Sequence, residues 1–141
     1  MVATLERWAA GEISPVLQDD SQATYTKPIK KSDGLIDWRL PASQIERLVR
    51  AYYPWPGAFS YWNGKMLKLI EAKVIDKAGA VREPPLLASG EVGVSSDGKD
   101  LLVGAGEGLL AISRLQLEGR RETPADEFIR GYRAIIGARL G

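Results

Sequence analysis

Few side chains in this sequence are equipped to make or break bonds. The 141 residues include no cysteine and no histidine. That excludes disulfides, thiolate zinc sites and cysteine nucleophiles. It equally excludes a Ser-His-Asp relay, an imidazole base and a histidine-ligated metal. Ser89, Ser95 and Ser96 have no imidazole to take a proton, so none reads as a nucleophile. Two carboxylate pairs remain, Asp19-Asp20 and Asp126-Glu127. The first lies in a polar, irregular stretch. The second sits in the first turn of an expected helix, where acids complement the dipole. Neither reads as a catalytic pair. Gly104-Ala-Gly-Glu-Gly108 looks like a phosphate loop, but the dinucleotide fingerprint needs a glycine where Leu109 stands, and a helix where a strand follows. It reads as a turn.

What is left is cationic chemistry. The net charge is only +1, but it is unevenly spread. Residues 27–73 hold nine cations against four acids, and residues 114–139 hold six arginines against four acids. A locally basic segment on a nearly neutral chain points to a polyanion or to a solvated mixed surface. Lys27, Lys30 and Lys31 precede a helix that carries Arg47 and Arg50, so the five could line one groove. Phosphate contacts need only a lysine or arginine within reach. Directly after them comes RAYYPWPGAF, residues 50–59. Pro54 and Pro56 lock φ, and Gly57 permits a sharp turn. Trp55 is expected as a packed wedge between helix and barrel mouth; a stacking platform for bases is the alternative.

The elements that must carry these residues are legible in the pattern. ATLERWAA reads as a helix end, with Leu5 and Trp8 on one side and Gly11 as the stop. From Glu12 to Leu35 periodicity disappears, and so long a loop predicts an extended arm. Pro41 suits a first turn, and Ile45, Leu48, Val49 and Tyr52 mark one helical face, with Glu46 placed to pair with Arg50. AFSYW, the Asn63-Gly64 turn and KMLKLIEAKVI predict a hairpin. DKAGAVREPPLLAS reads as a loop. GEVGVS and DLLVGA, around Asp97-Gly98, predict a second hairpin, and LLAISRLQ a fifth strand. Five short strands suggest a small closed or partly open β-barrel. Thr123 is expected as N-cap of a closing helix, with Pro124 at its first position, Asp126 as a capping-box acid, and Phe128, Ile129 and Tyr132 facing the barrel.

Taken together the motifs resemble one family. LIDWRLPASQIERLVRAYYPWPGAF is similar to the I-D-W-x-x-P-A, helix, R-A-x-x-P-W-P-G segment of methionyl-tRNA formyltransferases. ATYTKPIKKSDG resembles that family's A-T-Y-A-P-K-I-x-K-E-D-G. GEGLLAISRLQLEGRRETPADEFIRG resembles its G-x-G-x-L-x-x-x-x-L-Q-x-x-G-[KR]-[KR] stretch, and the closing GYRAIIGARL its tail. The likeness runs from about residue 5 to 140. It covers only the family's C-terminal part. The Rossmann-like catalytic part, which binds 10-formyltetrahydrofolate and carries Asn, His and Asp, has no counterpart here.

The resemblance implies a mainly β fold: an OB-like Greek-key β-barrel with one helix before and one after it. Residues 1–11 would be a remnant of the last helix of the catalytic domain, 12–35 a basic interdomain linker, and 36–141 the OB-like domain. It implies partners, initiator methionyl-tRNA and the N-terminal formyltransferase domain, and a chain inactive by itself. Carried over by motif, Lys31 matches the linker lysine, Arg50 the arginine of R-A-x-x-P-W-P-G, and Arg120 and Arg121 the basic pair. Lys27-Pro28 inverts the family's Pro-Lys order, and Tyr53 stands where the family often has Asn. The expected tRNA contacts are thus Lys27, Lys30, Lys31, Arg47, Arg50, Arg120 and Arg121, with no catalytic residue and no cofactor in this chain. No stretch approaches ~20 apolar residues, and MVATLERWAAGE lacks the layout of a signal peptide, so a cytoplasmic protein with no membrane partner is expected. Two rivals stay open. One is the trailing domain of a sugar-nucleotide formyltransferase or formyltetrahydrofolate dehydrogenase. The other is a free-standing OB-like module for single strands or another protein.

Overall fold

The computed structural model describes residues 2–75 and 85–141. In chain order it has α1 (Val2–Ala9), α2 (Ala42–Tyr52), β1 (Ala58–Trp62), β2 (Lys65–Ile75), β3 (Val92–Val94), β4 (Leu101–Gly104), β5 (Leu109–Leu117), β6 (Glu122–Pro124) and α3 (Ala125–Gly131). The strands form one antiparallel sheet in the order β1-β2-β5-β4-β3, with β6 paired to β5. The fold is therefore mainly β, with helices before and after the strands, as expected.

Local chemistry explains most of the elements. Asn63 and Gly64 take φ of 50° and 73°, the mirror-image turn whose twist matches a hairpin. β2 then runs long and pairs with β5 across a large sequence gap, with register shifts on either side of Glu71. Such irregularities bend a strand and help a sheet curl around its core. The core joins Leu67, Leu101, Leu110, Ile112 and Leu115 of the sheet to Ile45 and Val49 of α2. On α2 the buried stripe is Ala42, Ile45 and Val49. Leu48 and Tyr52 lie half-buried at its margin.

The five-strand path is closed by the chain's last residues rather than by a strand-to-strand ladder. Val92 N–H donates to Ala138 O (2.9 Å) and Gly137 N–H to Val92 O (2.7 Å). Farther along, Leu140 N–H donates to Gly90 O (2.8 Å) and Gly141 N–H to Tyr61 O (3.1 Å). Residues 137–141 thus bridge β3 to the open edge of β1, and Ile36 N–H covers the same edge at Phe59 O (2.8 Å). Edges left unpaired would invite association with other chains.

One buried polar side chain sits in this interior among the described residues, Ser60. Its Oγ accepts from Trp38 Nε1–H at 3.0 Å, so the buried indole is satisfied. Ser60→Val would leave that N–H without a partner. The expected cost is about 1–3 kcal/mol, read as a lower urea midpoint.

Three expectations are corrected here. There is a sixth strand, because residues 122–124 pair with 114–116 of β5. Thr123 therefore lies in β6 and its Oγ1 donates to Arg121 O, while the N-cap of α3 is Pro124 with no side-chain cap. The capping box is absent too: the Asp126 carboxylate takes Arg130 Nη1–H (3.0 Å) instead. Phe128 nevertheless faces the barrel as expected, stacked on Tyr132 at 4.7 Å and edge-on to Trp62 at 6.1 Å. Of the expected loop 76–89, residues 76–84 lie outside the described residues.

Candidate nucleic-acid interface

Two of the side chains set aside as non-catalytic, Asp19 and Ser95, are occupied locally. Asp19 accepts from Ser21 N–H, Ser21 Oγ–H and Gln22 Nε2–H, which hold its carboxyl below the ordinary range. Ser95 Oγ–H donates to Asp97, and its oxygen accepts from the N–H groups of Lys99 and Asp100. Both groups are turn fasteners. The glycine run 104–108 is the expected turn, closed by Ala105 N–H to Gly108 O at 3.1 Å. Among the described residues no cluster of three or more acids could hold a metal ion.

The cations occupy three places. Lys27 lies in an exposed extended stretch of the arm, without a hydrogen bond to the sheet among the described residues. Lys30 and Lys31 are better fixed. Lys30 N–H donates to Asp33 Oδ2 (2.8 Å), which starts a short 3-10 turn over 31–34. That turn docks through Gly34, which is buried; a Cβ there would fall on the Gly57 carbonyl and against the Phe59 ring. Both lysines are thereby seated beside the corner that follows α2.

Arg47 and Arg50 project from α2 and are exposed, one helical turn apart. Arg50 pairs with Glu46 as the spacing predicts (Nε–Oε1 2.5 Å). Arg120 and Arg121 lie after β5 and border a cleft of about 520 Å³ with Phe128 and Tyr132, where Arg121 Nη2 meets Glu127 at 3.2 Å. A neighbouring cleft of about 460 Å³ is lined by Arg50, Tyr53, Ile70, Glu71, Arg114 and Glu122. Glu122 borders the second cleft and Arg121 and Thr123 the first, so the β6 segment separates the two.

Two cations of this surface escaped the sequence reading. Arg114 extends from β5 into the second cleft, paired with Glu71 at 3.5 Å. Lys68 is half-buried on β2, and its side chain crosses over Gly57. The strand alternation in KMLKLI already put Lys68 opposite the core-facing Leu67 and Leu69. Arg114 had no such signal, because its neighbour across the sheet depends on the register shift at Glu71.

The aromatic corner also departs from expectation. Trp55 is 62% exposed and Tyr53 57% exposed, so Trp55 is not a packed wedge. The buried residues of the corner are Pro56 and Gly57, and Gly57 N–H closes the loop onto Tyr52 O at 2.9 Å. Pro56, with its φ locked, and Gly57, free to take a φ of 80°, fill the junction, and the two rings are left on the outside.

A separate exposed pair sits before α2. Arg39 forks onto Asp37 through Nε (2.9 Å) and Nη2 (2.7 Å), and these hydrogen bonds lower the Asp37 pKa to about 2. A depressed carboxylate contributes stability that is present above its unfolded pKa and lost as pH falls through the folded one. Here that window lies between about 3.8 and about 2, far from neutrality. An NMR titration should find the Asp37 midpoint near 2, moving toward 3.8 in Arg39→Gln.

With the geometry in place, comparison with known proteins decides the family. Residues 28–133 match the family model described as formyl transferase, C-terminal domain. The chain belongs to that family. As a formyl transferase C-terminal domain it is 45% identical over 141 residues to the methionyl-tRNA formyltransferase of Roseiflexus sp. (strain RS-1), covering 100% of this chain and 41% of the relative. It is 39% identical to that of Lachnospira eligens, again over 100% of this chain and 44% of the relative. The chain thus spans about two-fifths of the length of the curated relatives it matches. Among solved structures, a variant of HypX from Aquifex aeolicus superposes with a TM-score of 0.65 at 20% identity, over 93% of this chain and 22% of HypX. At that identity the likeness speaks for the fold of the domain.

Proposed function

We propose that this domain grips tRNA for a methionyl-tRNA formyltransferase, whose remaining part transfers formyl from 10-formyltetrahydrofolate to the amino group of initiator methionyl-tRNA. The observation that carries the reading is the match along the whole chain to relatives bearing that name, at 37–45% identity. The surface supports it. Lys27, Lys30, Lys31, Arg47, Arg50, Arg120 and Arg121 are all exposed. They suit phosphates, which reward charge within reach rather than a shaped pocket.

In this reading the domain positions and does not react. Holding a large substrate in register converts an encounter into a near-unimolecular step, which is a major part of many rate enhancements. The formyl donor belongs to the N-terminal formyltransferase domain, the domain's second partner, and the setting is the cytoplasm.

The test mixes the purified chain with initiator methionyl-tRNA and 10-formyltetrahydrofolate. Binding of folded tRNA in preference to a single-stranded oligonucleotide of matched charge, without formyl transfer, is the expected result. Turnover by the chain alone would contradict the division of labour. Equal binding of the unstructured oligonucleotide would replace tRNA by a generic single strand.

A further inference from the structure

We infer that the cleft between the end of α2 and the β2–β5 surface is a subsite for one unstacked nucleotide, with the base against Tyr53 and its phosphate between Arg50 and Arg114. It rests on the tRNA reading above and adds to it a contact that depends on stacking rather than charge. The cleft, at about 460 Å³, falls within the 300–1,000 Å³ typical of small-ligand sites.

Three features converge in it. Tyr53 is 57% exposed although the junction it leads into, Pro56 and Gly57, is buried. Its backbone is held by the bond from Gly57 N–H to Tyr52 O and by Pro54 behind it. A ring presented by a fixed loop loses little freedom when a base stacks on it. Next, the two guanidinium groups are aimed but not used up. Arg50 spends Nε and one Nη2 hydrogen on Glu46, and Arg114 directs Nε at Glu71. Each guanidinium has five N–H donors, so several remain for a phosphate. Finally, Ile70 supplies an apolar wall, and Glu71 and Glu122 supply acceptors for a base's amino groups. With Arg50 and Arg114 set against Glu71 and Glu122 the lining is neutral, so the phosphate is held by the free N–H donors rather than by an excess of charge.

The test uses the full chain with two probes, initiator tRNA and a fluorescein-labelled cytidine RNA hexamer, and compares Tyr53→Ala with Tyr53→Phe. Tyr53 is exposed, so both variants should keep the parent's thermal midpoint. Stacking predicts that Tyr53→Ala weakens each probe about tenfold, that Tyr53→Phe restores it, and that the salt dependence of tRNA binding is unchanged, since no charge was removed. Arg114→Gln should instead flatten that salt dependence. If Tyr53→Ala binds both probes as the parent does, the subsite is overturned while the tRNA grip stands. If the parent binds the hexamer in a Tyr53-dependent way but not tRNA, the grip is overturned and the subsite stands. Loss with Tyr53→Phe as well as Tyr53→Ala would show that ring stacking is not the contact, and would overturn the subsite too.

Discussion

Replacing Lys27, Lys30, Lys31, Arg47 and Arg50 together by glutamine is expected to lower tRNA affinity by on the order of a hundredfold at moderate salt. The figure follows if each cation contributes ~0.5 kcal/mol, within the typical range for exposed charge pairs. All five are exposed, and none is buried in the core, so the domain should fold unchanged. The salt dependence should fall with the affinity. Each phosphate contact contributes about 0.9 to the slope of log K against log salt on a duplex, so five lost contacts should lower it by roughly 4–5. Within the set, Lys30, Lys31, Arg47 and Arg50 are seated on folded elements, whereas Lys27 lies in the extended arm. Reverting the four should therefore recover more affinity than reverting Lys27. Filter binding or fluorescence anisotropy at several salt concentrations reads both quantities. A five-fold variant that binds like the parent would place the grip on other residues.

The largest expected effect on stability comes from Phe128→Ala. Phe128 is 3% exposed and packs against both Trp62 of β1 and Tyr132 beyond α3, which also meet each other at 5.9 Å. Its truncation removes the apolar burial and leaves a cavity that the surrounding rings fill only in part. The expected cost is about 3–5 kcal/mol. Against a total of roughly 5–15 kcal/mol for a domain, that is a large fraction. Urea unfolding should show a much lower midpoint with the slope little changed. A cost below about 1 kcal/mol would mean that α3 is anchored by something other than this ring. The consequence reaches the surface as well. Phe128 borders the cleft shared with Arg120 and Arg121, so loosening α3 should also disorder that basic rim.

How far the sequence can be read depends on whether a feature is local. The hairpin turn at Asn63-Gly64 and the helix ending before Pro54 follow from residue chemistry over a few positions, and both are where the pattern puts them. β6 is not local. ETP has no strand signal of its own, and only its partners Arg114, Leu115 and Gln116 make it a strand. The misplaced N-cap has the same origin, since Thr123 is drawn into the ladder that precedes α3. Closure of the sheet by residues 137–141 is likewise a meeting of distant backbone groups that no periodicity announces.

The surface follows the same rule. The cations Arg47 and Arg50 could be placed on α2 from spacing alone, and their pairing partner Glu46 with them. The cleft beside them could not, because it joins residues 50, 53, 70, 71, 114 and 122 across four elements. Trp55 shows the limit most clearly. An aromatic residue between two prolines looks like packing material, yet the junction is filled by Pro56 and Gly57 and the indole is left outside. Size and hydrophobicity suggested burial, and geometry at a tight corner decided otherwise.

The central claim, that this domain holds tRNA through its exposed cations, is tested most directly by the affinity of the chain for tRNA as a function of salt. Release of counterions from the phosphates predicts a linear fall of log K with log salt, steep enough to show several phosphate contacts. Elongator tRNA should compete in the same titration, because contacts to the backbone carry no sequence information. Binding that is flat in salt, or absent even at low salt, would contradict the account.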